Sequence, residues 1–128
     1  MKFSGKDLSY FEAQQEISSL SKEKGFKRIS KLLVSANGNP ILGRYGEQLT
    51  ADVFLSHSLL NKEEYPKTAI MIMAGIHGGE GPAGIIMQCE ILEAMENQPG
   101  IEYIFVVPNP FGFSWNQRGG HDNVDVNR

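Results

Sequence analysis

Apolar residues recur at helical spacing near the start of the chain, where Tyr10, Ala13, Ile17 and Leu20 share one face. Ser9 followed by Glu12 gives a capping-box signature in front of that face, and Gly25 supplies a stop. The pattern predicts a helix over 9–24. Beyond it the period shortens. Residues 29–35 and 41–45 read as short strands around Ala36-Asn37-Gly38-Asn39-Pro40, in which Asn-Gly favours a hairpin. Residues 49–55 read as a third strand, followed by a polar loop through Asn61-Lys62-Glu63-Glu64-Tyr65-Pro66.

The second half changes character. Residues 68–74 are almost continuously apolar, as expected of a strand covered on both faces. A glycine-rich turn leads into a helix over 82–95, with Pro82 suited to the first helical position. Glu90, Glu93 and Asn97 mark its one wet stripe, so most of its surface is expected to be buried. Asn97-Gln98-Pro99-Gly100 reads as a turn and 101–107 as a second buried strand. Strand, helix and strand within about forty residues form a βαβ unit, for which a right-handed crossover is expected. No repeat or internal boundary interrupts the pattern, and 1–128 reads as a single domain.

A net charge of −3 leaves no basic excess for neutralising phosphates, which argues against nucleic acid as a partner. No segment approaches the ~20 apolar residues that span a bilayer, and the start MKFSGKDLSYF lacks a signal-like apolar stretch. A cytoplasmic setting is the expectation. The one cysteine, Cys89, lies among Ile85, Ile86, Met87, Ile91 and Leu92 and reads as packing rather than as a nucleophile.

The chemistry concentrates in Ala74-Gly75-Ile76-His77-Gly78-Gly79-Glu80-Gly81-Pro82, which joins the buried strand to the helix. Ligands bind at the carboxyl ends of strands in open α/β sheets. There, His77 and Glu80 stand three apart among glycines, so an imidazole and a carboxylate can converge on one zinc ion. The bland alternative is a turn histidine beside a Glu80 that caps the helix. A second motif overlaps: Gly79-Glu80-Gly81-Pro82-Ala83-Gly84 satisfies G-x-G-x-x-G. It lacks the acidic residue at the end of the next strand, because Glu102 opens that strand instead. His77-Gly78-Gly79 has the look of an esterase oxyanion motif, but no G-x-S-x-G elbow occurs.

The last stretch, from Pro108 to Arg128, is rich in Asn, Asp and Arg without regular period and reads as a polar loop. His77-Gly78-Gly79-Glu80, Asn109-Pro110-Phe111-Gly112, Arg118 and Asn123-Val124-Asp125-Val126-Asn127-Arg128, in this order, resemble the zinc carboxypeptidase family. The likeness is strongest to bacterial members with a short R…NVDLNR segment and covers about 69–128.

This resemblance implies an α/β fold of α/β/α layers around a mixed, partly parallel sheet, here incomplete at the C-terminus. It implies one Zn²⁺ ion held by His77 and Glu80, and Arg118 polarising the scissile carbonyl and stabilising its oxyanion. Asn127 and Arg128 match the pair that grips a substrate's terminal carboxylate, with Asp125 as a supporting acid. The family's third ligand, a histidine, and its catalytic glutamate match nothing in the chain. His57 and His121 occupy no family ligand position and read as exposed or turn-bonded. Val126 stands where Leu is common, and Gly119-Gly120 reads as loosening the Arg118 loop.

The implied activity is zinc-dependent hydrolysis of an amide at the C-terminal end of a peptide, with a substrate that carries a free carboxylate. A zinc deacylase of N-acyl amino acids, aspartoacylase-like or succinylglutamate desuccinylase-like, is the nearest enzyme alternative. A non-catalytic remnant of the family is the alternative of another class. By itself the 128-residue chain is expected to be inactive and to expose strand edges that invite self-association.

Overall fold

The computed structural model describes residues 9–56, 68–96, 98 and 100–125. Helix α1 (Tyr10–Glu23) opens on the expected capping box. The Glu12 backbone N donates to Ser9 Oγ at 3.2 Å, and the Ser9 backbone N donates to Glu12 Oε2 at 3.1 Å. Gly25, at φ +78, turns the chain out of the helix into strand β1 (Lys27–Leu32).

Strand β1 pairs antiparallel with β2 (Thr50–Leu55), so the strand expected over 41–45 does not form. Residues 33–49 instead make a looped arm. Asn37-Gly38 does turn, with Gly38 at φ +79 and an isolated bridge between Val34 and Pro40. The returning limb then breaks: Pro40 brings no N–H, and Gly43 N donates to Glu47 O in a second turn around Gly46. Strand propensity at 41–45 lost to local turn chemistry.

Strand β3 (Thr68–Met73), the turn Gly78–Glu80, helix α2 (Gly81–Ala94) and strand β4 (Ile101–Val106) form the strand-helix-strand unit. β3 and β4 pair in parallel while β4 and β2 pair antiparallel, giving a mixed sheet ordered β1-β2-β4-β3. Ile72, Phe105 and Phe54 lie in one cross-strand row. Phe105 and Phe54 are buried in a core with Ala13 and Ile17 of α1 and with Ile85, Cys89 and Leu92 of α2, and Ile72 packs against it. Each buried Phe, Ile or Leu among them contributes about 1.5–3 kcal/mol of apolar burial. Gln88 adds a polar tie, its Nε2 donating to Ile72 O at 2.9 Å and Val106 O at 3.1 Å.

Two burial expectations are corrected. β3 is not covered on both faces: Met71 and Met73 are 58% and 53% exposed. α2 is buried on one face only, through Gly81, Ile85, Gln88, Cys89 and Leu92, and Met87 and Ile91 face water. The common reason is that α1, α2 and the short helix α3 (Pro110–Trp115) pack into one helical layer. The described residues thus make two layers, helices on one mixed sheet. A near-continuous apolar strand gains its second cover only from a second layer.

Candidate metal centre

After β3 the chain turns at Gly75, whose φ of +72 suits glycine and brings it against Gly81. His77 follows in extended backbone and leads into the turn Gly78–Glu80 at the head of α2. Gly78 N donates to Gln117 O at 3.0 Å. A methyl group at Gly78 would run into the Gly112 carbonyl, so this glycine is required by close backbone approach.

His77, 14% exposed, is held between two carboxylates. Its Nδ1 lies 3.3 Å from Glu80 Oε1, and its Nε2 lies 3.0 Å from Asp125 Oδ1. Asp125 Oδ2 accepts from Arg118 Nε at 3.0 Å. Both flanking carboxylates can only accept, so the ring can donate to either; with its proton on Nε2, toward the nearer Asp125, the Nδ1 lone pair faces Glu80. Two acceptors then face each other across 3.3 Å, an arrangement that a cation between them would resolve. Tetrahedral zinc with arms of ~2.1 Å spans ~3.4 Å between neighbouring ligand atoms, so the separation fits. Glu80 makes no side-chain cap to α2, which removes the simple capping alternative. Among the described residues no set of three His, Cys, Asp or Glu side chains is arranged to hold a metal, so the pair supplies two donors and no more.

Behind this pair the polar stretch is more ordered than its composition suggested. Asn109 caps α3, its Oδ1 accepting from Gly112 N at 2.8 Å, and Pro110 takes the first turn. The helix ends at Asn116, in the left-handed region at φ 52. This helix stands where a polar loop is expected, and Asn-Pro at its start and Asn at its end are its local signals. Gly119 and Gly120 do not loosen the Arg118 loop by position. Both are buried, Gly119 sits against the Asn123 backbone, and Gly120 N donates to Val124 O at 2.9 Å.

The remaining candidates divide. His121 is exposed and stands edge-on to Phe111, with centroids 5.3 Å apart, rather than beside His77. Asn127, Arg128 and His57 lie outside the described residues, as does the polar loop 61–66. The glycines of the G-x-G-x-x-G stretch serve packing: a side chain on Gly81 would meet Phe113, and one on Gly84 would meet Ala74. Cys89 is fully buried, and burial pushes its thiol up to about 12, so it is no nucleophile at neutral pH.

Residues 8–128 match the family described as a protein of unknown function, DUF2817. The chain belongs to that family. No curated protein matches this DUF2817 chain. Among solved structures it is similar to a protein of Shewanella denitrificans OS217 described as a "putative metallopeptidase", at 17% identity and a TM-score of 0.57. That similarity covers 90% of this chain and 38% of the other, so the chain spans well under half of that protein. Lower similarity extends to the glutaminyl cyclase of Fimbriiglobus ruber, with 13% identity, a TM-score of 0.47, and 73% and 35% of the two chains covered. The Porphyromonas gingivalis glutaminyl cyclase gives 13% identity, a TM-score of 0.39, and coverage of 80% and 45%. The likeness to the first of these establishes a shared α/β fold. Among the described residues no helix is long and apolar enough to cross a membrane.

Proposed function

We propose that this DUF2817 chain carries half of the metal site of a zinc-dependent hydrolase of the carboxypeptidase type, acting on an amide beside a free carboxylate. The observation that carries the reading is the chain of contacts Arg118–Asp125–His77–Glu80. A metal-binding histidine characteristically gives its other ring N–H to a carboxylate, and Asp125 receives it here. His77 Nδ1 and Glu80 would hold the ion. When bound, zinc polarises a carbonyl and lowers the pKa of a bound water.

The chain's own residues supply orientation and charge. Asp125 fixes the His77 tautomer. Arg118, 62% exposed, donates from Nε to Asp125, and its terminal nitrogens would serve an oxyanion or carboxylate. Asn127 and Arg128, just beyond Asp125 and Val126 in the sequence, would take the substrate's terminal carboxylate. No residue of this chain is assigned as general base. The likeness to the Shewanella protein supports the reading at the level of fold.

Zinc titration of the 128-residue chain, beside hydrolysis assays of free-acid, amidated and N-acyl amino acid substrates, tests it. Weak zinc binding, micromolar or poorer and abolished by His77→Ala or Glu80→Ala, is expected without turnover, because two ligands leave the ion largely hydrated. Sub-micromolar binding with turnover would show that His57 or His121 completes the site. In a protein that does turn over, Arg118→Ala should lower kcat/KM by about 10²–10³. Equal rates on free-acid and amidated peptides would overturn the carboxypeptidase assignment. Hydrolysis of N-acyl amino acids alone would favour the deacylase.

A further inference from the structure

The Asn-Pro-Phe-Gly segment takes no part in the proposed chemistry, yet its asparagine is among the most buried polar residues at this end of the sheet. Asn109 is 3% exposed. Its Oδ1 is used by the α3 cap, which leaves Nδ2 for the rest of the site. That one nitrogen lies 3.1 Å from Ile76 O, 3.3 Å from Gly119 O and 3.4 Å from Arg118 O. Ile76 immediately precedes His77, while Arg118 and Gly119 form the opposite wall.

We propose that Asn109 is a positioning residue, whose side-chain amide sets the spacing between the metal-binding turn and the Arg118 loop. The proposal rests on the reading of His77 and Glu80 as metal ligands, but the clamp itself stands on geometry. Three backbone carbonyls from two segments converge on one NH₂ group. With that group removed, their oxygens face one another unscreened in a buried space, and the two segments repel. The surrounding backbone is tightly meshed. Gly78 N donates to Gln117 O and Gln117 N donates to Gly112 O, with Gly78 seated against Gly112. A shift at Ile76 is therefore carried to His77 on one side and to the Arg118–Asp125 pair on the other. Misplacement of about 1 Å can cost 10²-fold in rate at a reacting centre, so such a spacer acts on function through position alone.

Asn109→Ser and Asn109→Asp separate the two jobs of this side chain. Serine keeps a good cap for α3 but is too short to reach the three carbonyls. Aspartate keeps the cap and the shape but replaces the donor with an acceptor. Amide exchange in both variants should rise locally, at Gly78 and Gln117, with α1 unchanged. Zinc affinity measured with the metal alone should fall about tenfold, as for other groups that support a ligand at one remove.

A folded Asn109→Ser protein with wild-type exchange at Gly78 and Gln117 and wild-type zinc affinity would overturn the proposal. So would a rise in exchange spread evenly over α1 and α2, or failure of both variants to fold, since each marks a merely structural residue. If the unaltered chain shows no His77-dependent zinc binding, the metal reading falls instead. The exchange pattern alone then decides whether Asn109 clamps the two segments.

Discussion

Asp125→Asn changes a single atom at the centre of the site, and its effect can be worked out from the contacts. With His77 protonated on Nε2, Asp125 Oδ1 accepts from it while Oδ2 accepts from Arg118 Nε, each at 3.0 Å. An asparagine offers one oxygen and one NH₂ in their place. Arginine does not give up its proton in proteins, so Arg118 claims the oxygen and the NH₂ faces His77. Nε2 must then accept, which moves the imidazole proton to Nδ1, the atom that faces Glu80. A protonated Nδ1 cannot bind a metal. The expected loss in zinc affinity is about 10–100-fold, the usual effect of removing a ligand's supporting carboxylate. That corresponds to about 1.4–2.8 kcal/mol.

The assay is calorimetric titration with zinc near neutral pH, beside long-range nitrogen–proton spectra that report the imidazole tautomer. The same reasoning gives a rescue. Arg118→Ala added to Asp125→Asn removes the arginine's claim on the amide oxygen, so the double variant should recover part of the lost affinity. Wild-type affinity in Asp125→Asn, with the proton still on Nε2, would refute the argument. A double variant as weak as the single one would show that Arg118 does not orient the side chain at 125.

Two further outcomes follow from packing and burial. Gly81→Ala should destabilise the fold by about 1–3 kcal/mol despite the better helix former, because the added methyl meets the ring of Phe113, itself packed edge-on to Tyr10. Chemical denaturation reads this, and an unchanged midpoint would mean that Phe113 moves freely. Burial pushes Tyr10 up to about 12 from 10.0 and Cys89 up to about 12 from 9.0, so the folded state holds both protons more tightly than the unfolded chain. Their contribution is full below pH 9 and is lost as pH rises toward 12, on the order of 2–3 kcal/mol for Tyr10. Melting temperature against pH should be flat from 7 to 9 and then fall, less steeply in Tyr10→Phe. Cys89 should resist thiol reagents at pH 8 until denaturant is added, and rapid labelling of the native chain would contradict its burial.

What was legible in the sequence, and what was not, follows from the range of the interactions. The first helix could be read because Ser9 and Glu12 cap it within one turn. The strand–turn–helix around His77 could be read because an apolar run, glycines and Pro82 succeed one another without a gap. The arm over 33–49 departs from the expected strand because strand-like residues at 41–45 are outweighed by Pro40 and the turn around Gly46. β3 is less buried than its apolar run implies, because such a run shows only that a strand can be covered twice. Whether a second layer arrives is not written in the strand itself.

The site divides along the same line. His77 and Glu80 face each other across three residues, a spacing visible in one dimension. His77 and Asp125 are 48 residues apart and meet only because β3 and β4 run parallel and deliver their carboxyl ends to one edge. No periodicity could pair them, so Asp125 entered by resemblance alone, as an acid of unspecified support. Asn109 was equally hidden in its larger role. Its Asn-Pro-Phe-Gly signature announces a helix cap, which is local, whereas its contacts to Ile76, Arg118 and Gly119 arise from three segments converging. The proposed ligand pair is thus local in this chain, while the contacts that would orient it are tertiary. Substitutions that keep the His-x-x-Glu spacing but disturb Asn109 or Asp125 should therefore spare the motif and lose the metal.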